Sequence, residues 1–357
     1  MSARLEMHGP TLILDKSTLQ SLRAEEAKWL SHHYHANLIL PLYVEIVGAL
    51  TASDRKDPVA DVASLARKML VMGLTTTPNI GHDELATSNL LGQTVEMDGR
   101  IILGGGKKVL HPDGTVTLVY DEPPQIEALR RLAKGTFTED EKKGAVLLRK
   151  FIAGVNLERI REVFQGTPPE YKVRSLAETL FIVDRILDGS GHRFHMLRTA
   201  MEELQIPLAA RGAVIERWKR MGGPPLKDFA PYSHYKLRVQ WFFDLAMGAD
   251  LVKSSDPKHF IDLMYIFYLP FCEVFASTDK FHQQVVSYFL RPDQRFVWGP
   301  DLKADAAKLT AHYEALPEDI RRTGSLNYAR LPPKDGDFLT ARIFDELRPG
   351  WRASRRR

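Results

Sequence analysis

Residues 251–284 read LVKSSDPKHFIDLMYIFYLPFCEVFASTDKFHQQ, and their patterning changes from helix-like to strand-like along the segment. The first part has apolar residues at helical spacing: Phe260, Leu263, Met264 and Phe267. After Pro270, the apolar run Phe271–Ala276 predicts a buried strand that ends at Ser277-Thr278-Asp279. Such an ending is typical of the edge where an open α/β sheet presents its functional side chains. A second acid, Asp262, lies on the preceding predicted helix.

The N-terminal region predicts the rest of this sheet. The apolar run Thr11–Leu14 ends at Asp15, and a helix is expected over 18–31. A second strand is predicted over 37–41, followed by a buried helix over 42–50 that carries Glu45. Near the other end of the chain, 295–298 is predicted as a last strand. This alternation of strands and helices predicts an α/β fold with a mostly parallel sheet covered by helices.

In the middle of the chain the sequence pattern changes to short strand-like runs separated by turn residues. Asp98-Gly99 and Asp113-Gly114 each lie between strand-like runs and predict two antiparallel hairpins at about residues 88–120. Gly104–Lys108 between them is interpreted as a linker, because it lacks the spacing of a phosphate-binding loop. Residues 124–229 read as mostly helical, with an amphipathic helix over 175–187. We therefore predict a discontinuous core over 1–75 and 230–345, an insertion over 76–229 and a basic tail over 346–357.

The composition is that of an ordinary soluble globular protein, with 44% hydrophobic and 26% charged residues among 357. A net charge of +4 permits a polyanionic partner. Cys272 is the only cysteine, which excludes an internal disulfide and a cysteine-based zinc site. The N-terminal apolar run is too short for a secretory signal, and acids and a proline interrupt the longest apolar segment. We expect a cytoplasmic protein without a membrane span. Whether it forms a homo-oligomer is left open by the sequence.

Four acids lie at predicted strand ends or on the neighbouring helices: Asp15 and Asp279 end strands, Glu45 is near the start of the helix after the second strand, and Asp262 is on a late helix. Because the carboxyl ends of parallel strands share one edge, these side chains are expected to converge. Carboxylates that share a partly desolvated cleft repel one another, and a hard divalent cation relieves that repulsion. An oxygen-only ligand set favours Mg²⁺ or Mn²⁺.

Three segments, LILDKS, NLILPLYVEI and DLMYIFYLPFCEVFASTDKFH, resemble the PIN-like nuclease family. The resemblance covers roughly residues 10–75 and 235–315. It implies a compact three-layer α/β/α sandwich in which acids gather around Mg²⁺ or Mn²⁺. It also implies that Asp15, Glu45, Asp262 and Asp279 are the catalytic, metal-binding acids. Many members of the family cut single-stranded RNA, and others cut structured DNA or RNA.

The resemblance further implies supporting hydroxyl groups, from Ser17 and from Ser277 or Thr278. Next to them, Lys280 could contact a substrate phosphate or be an ordinary solvated lysine. His282 could meet substrate or pack beneath its helix. The expected function is a metal-dependent endonuclease acting on RNA. The alternative is a catalytically inactive PIN-like module that binds nucleic acid or a protein partner.

Several positions leave alternatives open. The chain is longer than a usual PIN domain, so the insertion could cover or inhibit the cleft. Asp256 lies near Asp262, but Asp256-Pro257 reads better as a helix cap. Glu273 is expected to have a surface or supporting role.

Two further clusters have both a structural and a functional interpretation. The histidines of Ser31–His35 could bind a transition metal or form a polar helix end. Tyr232, Lys236 and Arg238 could line a nucleic-acid cleft, although the apolar residues around them are spaced like a helix core.

Overall fold

The computed structural model describes residues 9–51, 56–72, 77–78, 80–102, 107–111, 116–119, 124–154, 172–189, 192–252 and 259–353. Asp256, the Gly104–Gly106 part of the predicted linker, the Asp113-Gly114 turn and the last four residues of the basic tail lie outside the described residues.

A parallel sheet forms the centre of the fold. Four of its strands are four residues long, and β3 adds two residues at one edge: β1 (Thr11–Leu14), β2 (His35–Leu38), β3 (Thr77–Pro78), β6 (Val274–Ser277) and β7 (Arg295–Trp298). Their order is β3-β2-β1-β6-β7, and each neighbouring pair is parallel. A separate antiparallel pair consists of β4 (Lys107–Leu110) and β5 (Val116–Val119).

The strand order creates a switch point between β1 and β6. From β1 the chain continues to β2 and β3 on one side, whereas β6 and β7 are added on the other side. In open α/β sheets the crevice outside the carboxyl ends of two such strands is where ligands bind. Asp15 follows β1 and Thr278-Asp279 follow β6, so these residues lie at that position.

The helices of the N-terminal half are α1 (Lys16–Ser21), α2 (Ala24–His33), α3 (Leu40–Gly48), α4 (Pro58–Val71), α5 (His82–Leu90), α6 (Pro124–Ala133) and α7 (Glu139–Gly154). Those that follow are α8 (Leu176–Asp188), α9 (Arg193–Glu203), α10 (Leu208–Arg220), α11 (Leu226–Phe229), α12 (Pro231–Gly248), α13 (His259–Ile266), α14 (Lys280–Val285), α15 (Gly299–Glu314), α16 (Glu318–Arg322), α17 (Ser325–Tyr328) and α18 (Leu339–Leu347).

Helices pack around the sheet in an arrangement compatible with three layers. Tyr265 of α13 and His282 of α14 both contact the ring of Phe275 in β6, while α15 contacts β6 and β7. The strand residues Leu12, Ile13 and Phe275 are completely buried. The chain is therefore an α/β protein with a parallel sheet, as its sequence predicts.

The region predicted as an insertion packs directly on the core. Helix α6 contacts α4, and α7 contacts α3. Helix α12 contacts α5, α8 and α13, so it connects the helical region to the segment before β6. Buried apolar residues from both regions belong to one continuous hydrophobic cluster.

One predicted hairpin is confirmed by its strands and the other is wrong. The runs on either side of Asp113-Gly114 pair as β4 and β5, as predicted, whereas α5 and an irregular loop replace the hairpin expected around Asp98-Gly99. Gly99 does adopt a positive φ of 89°. Its backbone groups do not bond to a neighbouring strand of a hairpin. Instead, its N–H donates to Pro270 O at 2.9 Å, and its carbonyl accepts from Thr11 Oγ1 at 2.6 Å.

The helix predicted over 18–31 is divided into α1 and α2 by extended backbone at Leu22 and Arg23. The apolar spacing continues across this break, which hides it from the sequence pattern. Among the described helices, none combines the length and the apolar character needed to cross a bilayer.

Candidate functional site

The Asp15 carboxylate joins the ends of β1 and β6. Its Oδ1 accepts a hydrogen bond from Thr18 N at 2.7 Å and thereby caps α1. Its Oδ2 accepts from Ser277 Oγ at 2.7 Å and from Thr278 N at 3.2 Å. Asp15 is only 5% exposed. The side chain is therefore held firmly at the switch point of the sheet.

Ser277 is the centre of a buried hydrogen-bond chain. Besides donating to Asp15, its Oγ accepts from Asp279 N at 2.9 Å and lies 2.8 Å from His282 Nδ1. His282 Nε2 lies 2.8 Å from the backbone oxygen of Asp262. A carbonyl oxygen only accepts, so Nε2 donates in this contact. The chain thus runs from Asp15 through Ser277 and His282 to α13.

Ser277 and His282 are completely buried, and their polar atoms have these internal partners. This placement agrees with the alternative in which His282 packs beneath its helix. Neither side chain presents a surface to a substrate, because the serine and the imidazole both point into the fold.

Asp279 caps the helix that follows β6. Its Oδ1 accepts from Phe281 N at 2.6 Å, and both Asp279 and Thr278 are partly exposed. Because Asp279 N and the Asp15 carboxylate both bond to Ser277 Oγ, the ends of the two strands are held side by side.

Glu45 lies inside α3, and its carboxylate faces α13. Its Oε2 accepts from Tyr265 OH at 2.5 Å. Burial raises the pKa of Glu45 to about 7; the nearby Lys16 ammonium opposes this shift, while the charges of Asp262 and Asp15 add to it. Asp15 and Asp262, from two other segments of the chain, therefore act electrostatically on Glu45.

Other predicted residues lie at the margin of this group. Ser17 and Lys280 are exposed, on α1 and α14 respectively. Asp262 is partly exposed on α13. These three keep their predicted roles as expectations, since they are accessible to a ligand.

Glu273 lies at the opposite end of β6. It forms a two-pronged ion pair with Arg348, with both N–O distances at 2.7 Å, and it accepts from Thr11 N at 3.1 Å. Since the amino ends of the strands are on that side, Glu273 is separated from the acids by the length of the sheet.

The remaining clusters have structural roles in the described residues. His32 contacts Ser325, whereas His33 is buried against Tyr313, so these two imidazoles do not converge. Tyr232 and Lys236 are buried and Arg238 pairs with Asp184, which agrees with the interpretation of this segment as helix core.

Sequence reasoning missed Tyr265 and Lys16. Tyr265 follows Asp262 by one helical turn, a spacing that places both on one face. In the sequence it belongs to an apolar run, because its ring packs in the core while only its hydroxyl reaches Glu45. Lys16 is adjacent to Asp15, and that position is its only signal.

The donor chemistry of this group fits a hard cation, since carboxylate oxygens are the ligands that Mg²⁺ and Mn²⁺ prefer. Burial is the main cause of the raised pKa of Glu45, and the negative charges of Asp262 and Asp15 add to it, so a bound cation would relieve part of this cost. Within the described ranges, however, no three acidic, histidine or cysteine side chains are grouped closely enough to hold a metal as they stand. Metal binding would therefore require some of these acidic side chains to change position.

The chain matches no protein-family model, no curated protein and no solved structure in comparisons with known proteins. The proposal for its function therefore depends on the geometry described above and on the resemblance of its three motifs.

Proposed function

We propose that this protein is a metal-dependent endonuclease with a PIN-like core that hydrolyses phosphodiester bonds in RNA. The observation that carries the proposal is the electrostatic grouping of Asp15, Glu45 and Asp262 beside the switch point of a parallel sheet. Carboxylates from distant segments rarely gain from mutual proximity unless a cation joins them.

In this proposal Asp15, Glu45, Asp262 and Asp279 hold Mg²⁺ or Mn²⁺. When bound, such an ion polarises a phosphodiester and lowers the pKa of a bound water. The chain's own residues fix the acids. Ser277 and the N–H of Thr278 hold Asp15, and the Tyr265 hydroxyl fixes the orientation of Glu45. The partly exposed Thr278 and Asp279 border the entrance for substrate.

The test is cleavage of a labelled single-stranded RNA in Mn²⁺ by the wild type, Asp15→Asn and Asp279→Asn. Asparagine caps helices about as well as aspartate, so both substitutions can keep the caps of α1 and α14 while they remove charge. At position 15, however, an amide nitrogen replaces one of two accepting oxygens, so Asp15→Asn also loses the hydrogen bonds on that side and should be less stable than Asp279→Asn. We expect each to lower the cleavage rate by more than about 100-fold, beyond the loss typical of groups that only support a metal ligand.

Glu216→Gln, on the exposed surface of α10, is the matched control and should cleave like the wild type. Thermal melting of every variant verifies folding. If Asp15→Asn and Asp279→Asn both cleave at the wild-type rate, the proposal is wrong.

One observation favours the second candidate function, an inactive module that binds nucleic acid or a protein. Both oxygens of Asp15 and one of Asp279 already accept hydrogen bonds from the fold. These acids thus have structural roles as helix caps without any metal. RNA binding that is unaffected by Mn²⁺, together with no cleavage, would favour the module.

A further inference from the structure

A cavity of about 230 Å³ lies between α1, α4 and the end of α3. Lys16 and Gln20 line it from α1, and Asp61, Ser64 and Lys68 line it from α4. Two ammonium groups and one carboxylate leave its wall with a net positive charge. None of the sequence motifs discussed above predicts this cavity.

Lys68 is held in place by the end of a helix. Its Nζ donates to the carbonyl of Gln20 at 2.8 Å and to that of Leu19 at 3.3 Å. Carbonyl groups at a helix C-terminus attract a cation. An ammonium has three N–H donors, so one remains for a ligand in the cavity. Burial lowers the pKa of Lys68, and the charge of Lys303 lowers it further.

Lys16 connects this cavity to the acids. It lines the cavity, and its positive charge also acts on the Glu45 carboxylate. Lys16 is partly exposed, so its ammonium is accessible to a ligand in the cavity. A group bound in the cavity therefore lies beside the site proposed to cut the phosphodiester.

The size and charge of the cavity limit the class of ligand. Its volume is below the roughly 300 Å³ at which pockets for drug-sized molecules begin, so a small group fits better than a whole nucleobase. Lysines recognise phosphate as point charges, and the Ser64 hydroxyl can donate a hydrogen bond to a phosphate oxygen. A neighbouring anion site would also offset the repulsion between the acids and a polyanionic substrate.

We propose that the cavity between α1 and α4 binds one backbone phosphate of the RNA substrate through Lys16 and Lys68. This inference rests on the proposed nuclease function, since it assigns the same substrate to a site beside the acids.

The experiment measures binding without chemistry. Fluorescence anisotropy follows a labelled single-stranded RNA bound by the full-length protein in EDTA, over a series of KCl concentrations. Lys16→Gln and Lys68→Gln should each weaken binding by about 3- to 10-fold and lower the slope of log K against log salt by about 0.7, the value for one phosphate contact to a single strand. Lys68→Arg keeps the charge and should bind like the wild type.

Lys219→Gln, on the exposed face of α10, is the control for general loss of positive charge. The inference is overturned if both glutamine variants match this control, or if the wild type binds no RNA in EDTA. A separate cleavage assay in Mn²⁺ distinguishes the two proposals. If the wild type cleaves RNA but Lys16→Gln and Lys68→Gln keep its salt slope, only the phosphate-site proposal is wrong. If these variants have a reduced salt slope but the wild type does not cleave, only the nuclease proposal is wrong.

Discussion

The Asp15 carboxylate accepts three hydrogen bonds while remaining almost completely buried. Charge-assisted bonds of this kind hold a carboxylate in one orientation and compensate for its loss of hydration. Two of the three donors come from β6 and the residue after it. At the scale of single residues, Ser277 is therefore the link between the two ends of the chain.

Ser277→Ala should lower the free energy of unfolding by about 1–3 kcal/mol, because it removes the partner of the Asp279 N–H and of His282 Nδ1 and one of the two donors to Asp15 Oδ2. Urea unfolding at pH 7.5 measures this change. Ser287→Ala, at an exposed position, serves as the control and should change stability little. Equal stabilities of the two variants would show that the Ser277 hydroxyl does not hold the strand ends together.

His33 makes the stability of the fold depend on pH. Burial lowers its pKa to about 3, with a smaller contribution from the charge of His32, whereas the ordinary value is 6.5. The unfolded chain therefore binds a proton that the folded protein excludes once the pH falls below about 6.5. The contribution of His33 to stability should decrease by up to about 1.4 kcal/mol for each pH unit below that value, and this loss should end near pH 3. Glu45, whose pKa burial raises to about 7 from the ordinary 4.5, contributes in the opposite direction between these two values, so the effect of His33 is read from a comparison of variants.

Urea unfolding at pH 7.5, 6.0 and 5.0 measures this dependence. His33→Gln removes this titrating group and should lose less stability than the wild type between pH 7.5 and 5.0, whatever it costs in overall stability through the lost contact with Tyr313. His192→Asn changes an exposed histidine and should keep the wild-type profile. An equal change of stability between pH 7.5 and 5.0 in the wild type and in His33→Gln contradicts the assignment.

At the scale of elements, the junction between β7 and α15 brings backbone close to the site. Gly299 begins α15, and a Cβ at this position would lie 2.4 Å from Thr278 Cγ2 and 2.7 Å from Thr18 Oγ1. Gly212 lies in α10, and a Cβ there would meet nothing within 4 Å. The two helical glycines thus form a matched pair.

Gly299→Ala should destabilise the protein by about 1–3 kcal/mol through overpacking. Gly212→Ala should stabilise it by up to about 1 kcal/mol, because alanine is the better helix former. Thermal melting of both variants is the measurement. The same direction of change in both would contradict the close packing of α15 on Thr278.

The sequence predicts elements well where one local pattern decides them. The buried run that forms β1 and the partly buried run that forms β7 have their predicted bounds, and Ser175 caps α8 where the amphipathic pattern begins. Prediction fails where tertiary contacts compete with local patterns. The Asp98-Gly99 turn has hairpin chemistry, but its backbone groups bond to Pro270 and Thr11 instead.

The candidate site is less accessible to sequence reasoning than the strands. The positions of Asp15 and Asp279 follow from strand endings, so the pattern can identify them. The contacts of Tyr265 with Glu45 and of His282 with Asp262 depend on how α13 and α14 pack on the sheet. The spacing of residues within a helix does not determine this packing. For that reason the sequence does not reveal the role of Tyr265 and leaves the role of His282 ambiguous.

At the scale of the whole molecule, the sheet brings together segments from both ends of the chain. Residues of β1 pair with residues of β6 that are about 260 positions later, and the helical region between them shares their core. The predicted division at residue 76 leaves β3 outside the core segment, although β3 pairs with β2 in the same sheet. A strand of two residues is too short to give a pattern.

The central claim is that Asp15, Glu45, Asp262 and Asp279 share a divalent cation, and titration calorimetry with Mn²⁺ tests it most directly. The full-length wild type should give a saturable binding isotherm. Glu45→Gln should lose most of the heat of Mn²⁺ binding, and Glu216→Gln should retain it. No saturable binding by the wild type, or an unchanged isotherm for Glu45→Gln, would contradict the claim.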